Sequence, residues 1–399
     1  MLKVLSTLFD SNETYLSKHV AGINRAQAFP TRNLVNSDEF IRNTINDSII
    51  VSGGSDEERS VLLLGLTRSS QACVVIIHNG NRYITADRLR RYGINASLWS
   101  ENIYSGFSKT QLLSILTADN SDNDLAFFYS YAFDVCEVLN KPTTVQGMYS
   151  IDWLGIGWQQ ELLTSPFNRD RALDLLNRYD RNMAEKAVKG VCRLERLSRG
   201  NMIGESSVAD GFNDGKVIIK EVYGSNSAMS KQCLEIIQCE AEKGQNFTLL
   251  LEDVYIDVPI IRDNFRNVRL ILSGTDVSQY QDDMKITNRA SSIVAFNHSN
   301  YGSCKTISEN WFGEYDRLYS ESSSGYSKSF LEPRTYNKSV TVRQNRDTRL
   351  KPEMLATIPF GCAFIRTRNG LEGYISIAYE IKNRFSCWNE WKGYAFRFS

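Results

Sequence analysis

Two stretches of this sequence carry residue types that could act on a phosphate. The first is Ile49–Leu66, IIVSGGSDEERSVLLLGL, an apolar run, a glycine turn and then a helical pattern. A strand that enters a helix through a glycine-rich turn gathers backbone N–H groups and the positive end of the helix at one point. Set against the phosphate-loop pattern G-x-x-x-x-G-K-[ST], Gly53 is the first glycine and Ser60 the final hydroxyl, with Gly54 inside the turn. Glu58 stands where the second glycine belongs and Arg59 where the lysine belongs. A side chain at the second glycine crowds the cradle, and its carboxylate repels phosphate. Arg59 keeps the positive charge, but on a planar fork rather than a compact ammonium. Asp56, Glu57 and Glu58 suit the helix dipole while occupying the place of an anion. The spacing is that of a phosphate loop. The residue types favour the simpler reading, a strand–turn–helix with an acidic first turn.

The second stretch is Phe247–Asp253, FTLLLED, an apolar strand that ends in two carboxylates. Ligands bind beyond the carboxyl ends of parallel strands, so acids placed there can hold a metal or orient water, as in a Walker B strand. The usual order is Asp then Glu, and here it is Glu252 then Asp253. The plainer reading is a buried strand that runs into a polar loop. The candidate catalytic residues are therefore Glu252 and Asp253, and the candidate nucleotide-binding residues are Gly53, Gly54, Arg59 and Ser60. No metal ligands are assigned. The eight cysteines are scattered without C-x-x-C spacing and there are only three histidines, which argues against zinc.

These residues need a parallel α/β sheet to position them. Strand Ser48–Ser52 leads into a helix from Asp56 to about Thr67. A second apolar run, Ala72–His78, ends at the turn Asn79-Gly80-Asn81. A helix over Thr85–Tyr92, closed by Gly93, and a short strand Ala96–Trp99 continue the alternation. The pattern then turns helical over Ser108–Leu116, Leu125–Leu139, Trp153–Thr164 and Asn168–Leu197, with apolar residues such as Phe127, Tyr131, Val135 and Leu139 at helical spacing. Strands resume at Lys216–Val222, Phe247–Asp253, Asn267–Ser273 and Ser291–Phe296, with a helix over Ser230–Lys243. Glu321–Lys328 is Ser-rich and reads as a loop or hairpin tip. A short helix started by Pro352 and Glu353 and a hairpin around Asn369-Gly370 follow, then an aromatic tail from Phe385 to Phe398.

Composition sets outer bounds. The chain has 399 residues, enough for two or three domains, and 46 basic against 46 acidic residues. A neutral balance makes no demand for nucleic acid. Arg88, Arg90 and Arg91, and Arg193, Arg196 and Arg199, cluster on helices, where solvated faces are the commoner explanation. No apolar run reaches bilayer length and the N-terminus lacks a signal-peptide pattern, so a cytoplasmic protein with reduced thiols is expected.

Taken in order, the phosphate-loop variant, ACVVIIHNG, the helical block, FTLLLED and VRLILSGTD resemble the FtsK/HerA-type P-loop ATPases, and most of all the conjugative type IV coupling proteins (TraG/TraD-like). Ile286–Asp316 and the Lys351-Pro352-Glu353 helix followed by CAFIR resemble that family's C-terminal elements. The resemblance spans roughly residues 25–368. It implies a RecA-like P-loop NTPase sheet interrupted by an all-α domain, with a small β-containing C-terminal element. The expected domains are an N-terminal segment 1–45, the first half of the core 46–104, an all-α insertion 105–205, the second half 206–330, and a C-terminal helix, hairpin and tail 331–399. It also implies DNA as a partner, proteins of a secretion or transfer apparatus, a homo-oligomer, and contact with the membrane through a partner, since no span is expected here. ATP and Mg²⁺ are the family's cofactors. The departures are the two changed phosphate-loop positions, the reversed acidic pair, and Thr275 or Asp276 where the γ-phosphate-sensing residue stands. They point to a non-hydrolysing structural or regulatory component of a DNA-transfer system. The alternative is a working DNA-translocating ATPase in which Arg59 contacts phosphates, Ser60 holds Mg²⁺, and Glu252 or Asp253 positions metal and water.

Overall fold

Residues 17–99, 107–118, 123–164, 169–201, 207–224, 228–254, 267–276, 290–327 and 335–377 are described by the computed structural model. Packing divides the chain into two compact units, one of residues 44–51 and 55–291, the other of 1–43, 52–54 and 292–399.

The first of these holds the parallel sheet. Strand Cys73–Asn79 pairs in parallel with Val217–Val222 on one side and with Phe247–Glu252 on the other. Ala96–Leu98 extends the sheet beyond Val217–Val222, and Val268–Gly274 beyond Phe247–Glu252, both in parallel. The strand that leads into the glycine turn lies next to Val268–Gly274, so one strand separates it from the strand that ends at Glu252. These strands are apolar along their length because both faces are covered, which is why they read as continuous runs rather than alternations. The Asp56–Ser69 helix begins with a capping box, in which Ser55 and Glu58 each satisfy the other's backbone N–H.

The helical block follows in the same unit. Helix Asn123–Val138 buries Phe128, Tyr129, Tyr131, Phe133 and Val135. Trp153 meets Phe128 edge-on at 5.2 Å and Trp158 at 5.3 Å, and Tyr179 meets Trp158 at 4.8 Å. Such offset and edge contacts give aromatic pairs more than their buried area alone. The single helix expected over Asn168–Leu197 is two, Arg169–Arg178 and Arg181–Asn201. Asp180 makes the break, because its Oδ1 accepts the Met183 N–H at 2.8 Å and starts a new helix. The helix expected from Trp153 begins at Gly157, since Asp152 Oδ1 accepts the N–H groups of Leu154 and Gly155 in a turn. Two short helices, Val145–Tyr149 and Val208–Asp214, go beyond the expected set.

In the other unit, Cys362–Arg366 pairs antiparallel with Ser292–Ala295 and with Glu372–Ser376, which pairs in parallel with Leu34–Val35. Phe29 packs edge-on against Phe312 and Phe364, at 5.0 and 5.8 Å. Helix Tyr301–Thr306 passes into a π-helical turn Ile307–Phe312 that ends at Gly313. The Ser-rich segment expected as a loop or tip is instead strand to Ser327. Glu314–Ser327 runs antiparallel to Thr335–Thr348 as a long two-stranded ribbon. Cross-strand ion pairs such as Arg317–Asp347 at 2.9 Å and Arg343–Glu321 at 3.3 Å support it. The ribbon lacks the apolar alternation that marks a half-buried strand. The aromatic tail and the N-terminal residues 1–16 lie outside the described residues. Among the described residues no helix is long and apolar enough to cross a membrane.

Candidate functional site

The glycine turn is built as the spacing predicts. Gly53 and Gly54 take left-handed φ of 79° and 69°, which only glycine adopts without cost. They belong to the unit that contains Asn297 and His298. The Gly54 N–H donates to the Asn297 carbonyl at 2.8 Å. His298 is buried behind the turn. Its Nδ1 lies 2.8 Å from the Phe296 carbonyl, which can only accept, so Nδ1 carries the hydrogen. Its Nε2 then accepts the Ser52 hydroxyl at 2.7 Å. A Cβ at Gly53 would stand 2.4 Å from His298 Cε1 and 2.6 Å from the Asn297 carbonyl oxygen. The turn is thus held by protein groups on the side of the glycines.

The other candidate residues fall in the unit with the parallel sheet, and there they converge. Glu58 folds back over the start of its helix. Its Oε2 accepts the Ser55 N–H at 2.9 Å and the Ser55 hydroxyl at 3.1 Å, and the Glu58 N–H donates to Ser55 Oγ at 3.3 Å. A carboxylate therefore takes a loop amide of the kind that a phosphate loop offers to its ligand. Arg59 is fully buried. Its Nε donates to Glu252 Oε1 at 2.8 Å, and its Nη2 donates to Asp253 Oδ2 at 2.8 Å and Asp56 Oδ1 at 2.7 Å. Ser60 Oγ sits 2.5 Å from the Asp56 carbonyl, to which it donates. The Asn81 amide nitrogen donates to Ser60 Oγ and to Glu252 Oε1, both at 3.1 Å.

Glu252 lies at the end of its strand, fully buried. The hydroxyl of Ser273, which stands opposite Glu252 in the strand register, hydrogen-bonds the Glu252 carboxylate. Asp253 turns out of the strand with φ of 51°, a left-handed conformation that costs a non-glycine residue. That turn points its carboxylate at two partners. Oδ1 accepts the Thr275 N–H at 2.9 Å and hydroxyl at 3.0 Å, and Oδ2 meets Arg59.

Electrostatics follow from the burial. Burial alone would lower the Arg59 pKa, but Glu252 and Asp253 outweigh it and hold the guanidinium above its ordinary value. Burial pushes the Glu252 carboxyl up, and Arg59 opposes that. Glu57, buried in the first turn, is pushed up to about 7 by burial and then by Glu58, with Arg82 and Arg88 opposing. His78, one strand over from Glu252, is brought down to about 4 by burial.

The sequence singled out Arg59, Ser60, Glu252 and Asp253, and the fold brings these four together. Asn81, Asp56 and Thr275 complete the network. Asn81 showed only as a turn residue, and a buried asparagine beyond the end of a parallel strand is the cue that marks it. His298 gave no cue, because a lone histidine after a strand is an ordinary core residue.

No protein-family model and no curated protein matches the chain. Solved structures do match its fold. The bacterial conjugative coupling protein TrwBdeltaN70, in an unbound monoclinic form, aligns with a TM-score of 0.52 and 11% identity over 89% of this chain and 90% of that one. The same protein in a trigonal form with sulphate aligns with a TM-score of 0.50 and 12% identity over 89% and 91%. The plasmid coupling protein TrwB in complex with ADP and Mg²⁺ aligns with a TM-score of 0.49 and 12% identity over the same shares. The chain thus has the P-loop NTPase fold of a conjugative coupling protein, the fold that the order of its motifs resembles.

Proposed function

We propose that this protein is a non-hydrolysing structural or regulatory component of a conjugative, type IV secretion-like DNA-transfer system, built on the coupling-protein fold with a degenerate nucleotide site. The observation that carries this reading is the buried set of ion pairs made by Arg59. At the lysine position of a phosphate loop, a cation must be available to the β- and γ-phosphates. Here it is sealed from solvent and shared among Glu252, Asp253 and Asp56.

A magnesium nucleotide does not fit these residues. Glu58 places a carboxylate on the Ser55 amide, where it repels phosphate. Ser60 Oγ, which would have to face the metal, already accepts from the Asn81 amide while its hydrogen goes to the Asp56 carbonyl. Removing the electrostatic clamp on a transferring phosphoryl group costs orders of magnitude in rate. Gly53, Gly54, Arg59, Ser60, Glu252 and Asp253 are the remains of a nucleotide site turned to structural use.

The fold likeness to a conjugative coupling protein supports the choice of system. On this reading the protein works in the cytoplasm. Its partners are other proteins of the transfer apparatus, DNA and further copies of the chain, and one such partner brings it to the membrane. On the same reading the all-α block 105–205 is an insertion in the nucleotide-binding core.

Turnover of MgATP tests the reading. The purified protein is expected to hydrolyse no ATP above the buffer rate, with or without single- or double-stranded DNA, and Glu252→Gln is expected to change nothing. DNA-stimulated turnover that Glu252→Gln abolishes would overturn it in favour of a working motor.

A further inference from the structure

We infer that Glu57 and Arg88 form a proton-controlled latch: with Glu57 protonated the two side chains stand apart, and ionisation of Glu57 draws the Arg88 guanidinium onto it. No nucleotide takes part in it, so it stands apart from the proposal on ATP.

Glu57 is 4% exposed, and its Oε1 is sealed without a hydrogen-bond partner among the described residues. Arg88 has the complementary deficit. Its Nη1 is sealed without an acceptor, while its guanidinium stands 5.1 Å from the centre of the Tyr83 ring. The two sealed atoms do not bond each other. Each lacks one hydrogen bond, and each is of the kind that can supply the other's. A sealed carboxyl without a donor keeps its proton, because desolvation disfavours the anion. Three charged groups act on Glu57. Glu58, on its own helix, opposes ionisation. Arg82, in the turn after strand Cys73–Asn79, and Arg88, on helix Ala86–Arg91, favour it. Glu58 is committed to Ser55, and Arg82 donates to the Tyr83 hydroxyl at 2.9 Å. Arg88 is the group left to pair. Its main chain is fixed, since its N–H donates to Thr85 Oγ1 at the start of the helix, so a change of side-chain rotamer closes the latch. The same turn connects the latch to the candidate site. Asn81 Oδ1 accepts the Tyr83 N–H at 2.9 Å, and Asn81 Nδ2 donates to Ser60 and Glu252. Withdrawing Arg88 from the Tyr83 ring thus acts on the turn that carries Asn81.

The test is a double-mutant cycle on the whole chain, run at about pH 5.5 and about pH 8.5. Tm is measured for wild type, Glu57→Gln, Arg88→Gln and the double variant. A carboxyl pushed up to about 7 gives its stabilisation at low pH and loses it as the pH rises through that value. Wild type is therefore expected to lose Tm relative to Glu57→Gln between the two conditions. The latch adds a second effect. At the lower pH, Arg88→Gln costs the same with or without Glu57→Gln. At the higher pH it costs more in the presence of Glu57, by more than about 3 °C of Tm. Side-chain ¹⁵N NMR of arginine-labelled protein, with Arg88 assigned from Arg88→Lys, decides the matter if Arg88→Gln does not fold. The Arg88 signal is expected to move with a midpoint near neutral pH in wild type and to stay still in Glu57→Gln. Three results overturn the latch: a Glu57–Arg88 coupling of equal size at both pH values, a coupling at neither, or an Arg88 signal that stays still in wild type.

Discussion

Replacing Arg59 with alanine is expected to lower the stability of the protein by about 3–5 kcal/mol, the cost of leaving a buried charge without its partner. The size follows from what remains. Glu252 is fully buried and would keep only the neutral Asn81 amide and Ser273 hydroxyl, and Asp253 would keep its bonds to Thr275. Asp56 is half exposed and contributes little to the loss, because water can solvate it. The penalty is thus concentrated on one carboxylate. Adding Glu252→Gln to Arg59→Ala is therefore expected to recover part of the loss, since it removes the stranded charge while keeping the shape. Urea unfolding of the single and double variants measures both effects. A loss below about 1 kcal/mol for Arg59→Ala would place the ion pairs in the class of surface bridges and contradict their assigned weight.

Gly53→Ala is expected to cost about 2–4 kcal/mol, from backbone strain and overpacking together. The φ of 79° imposes the first part. The second comes from the new methyl, which would lie 2.4 and 2.5 Å from the His298 ring and 2.6 Å from the Asn297 carbonyl oxygen. His298 cannot swing aside cheaply, because both its ring nitrogens are hydrogen-bonded. Gly80→Ala is the control. Gly80 has a similar φ of 68° but nothing within 4 Å of the added carbon, so it reports the backbone part alone. Urea unfolding should separate the two, with Gly53→Ala the more costly. Equal losses would mean that the His298 and Asn297 contacts do not hold the turn.

Much of this architecture is legible in the sequence because the parallel strands are buried on both faces. ACVVIIH and FTLLLE can be little else. The acidic pair at Glu252 and Asp253 is legible for a related reason, since two carboxylates after such a run lie at the sheet end where ligands bind. The ribbon Glu314–Ser327 with Thr335–Thr348 is not legible as strand, because its support comes from cross-strand pairs in register, and pairing partners do not show in a local pattern. Asp180 hides a helix break for the opposite reason. The helical pattern continues past it, and only its side-chain bond to Met183 marks the restart. At the site, the residue types at Glu58 and Arg59 announce that the phosphate-loop chemistry has changed. What they are used for does not show in the sequence. Arg59 and Glu252 are 193 positions apart, and only the folded sheet puts them 2.8 Å from each other.

The most direct test of the account is equilibrium binding of labelled ATP with Mg²⁺ to the wild-type protein, beside Glu58→Gly and Arg59→Gln. No saturable binding to wild type is expected, because Glu58 holds the loop amide and Arg59 is committed to Glu252, Asp253 and Asp56. Saturable binding to wild type that Arg59→Gln abolishes would contradict it, and would make Arg59 a phosphate ligand in a working nucleotide site.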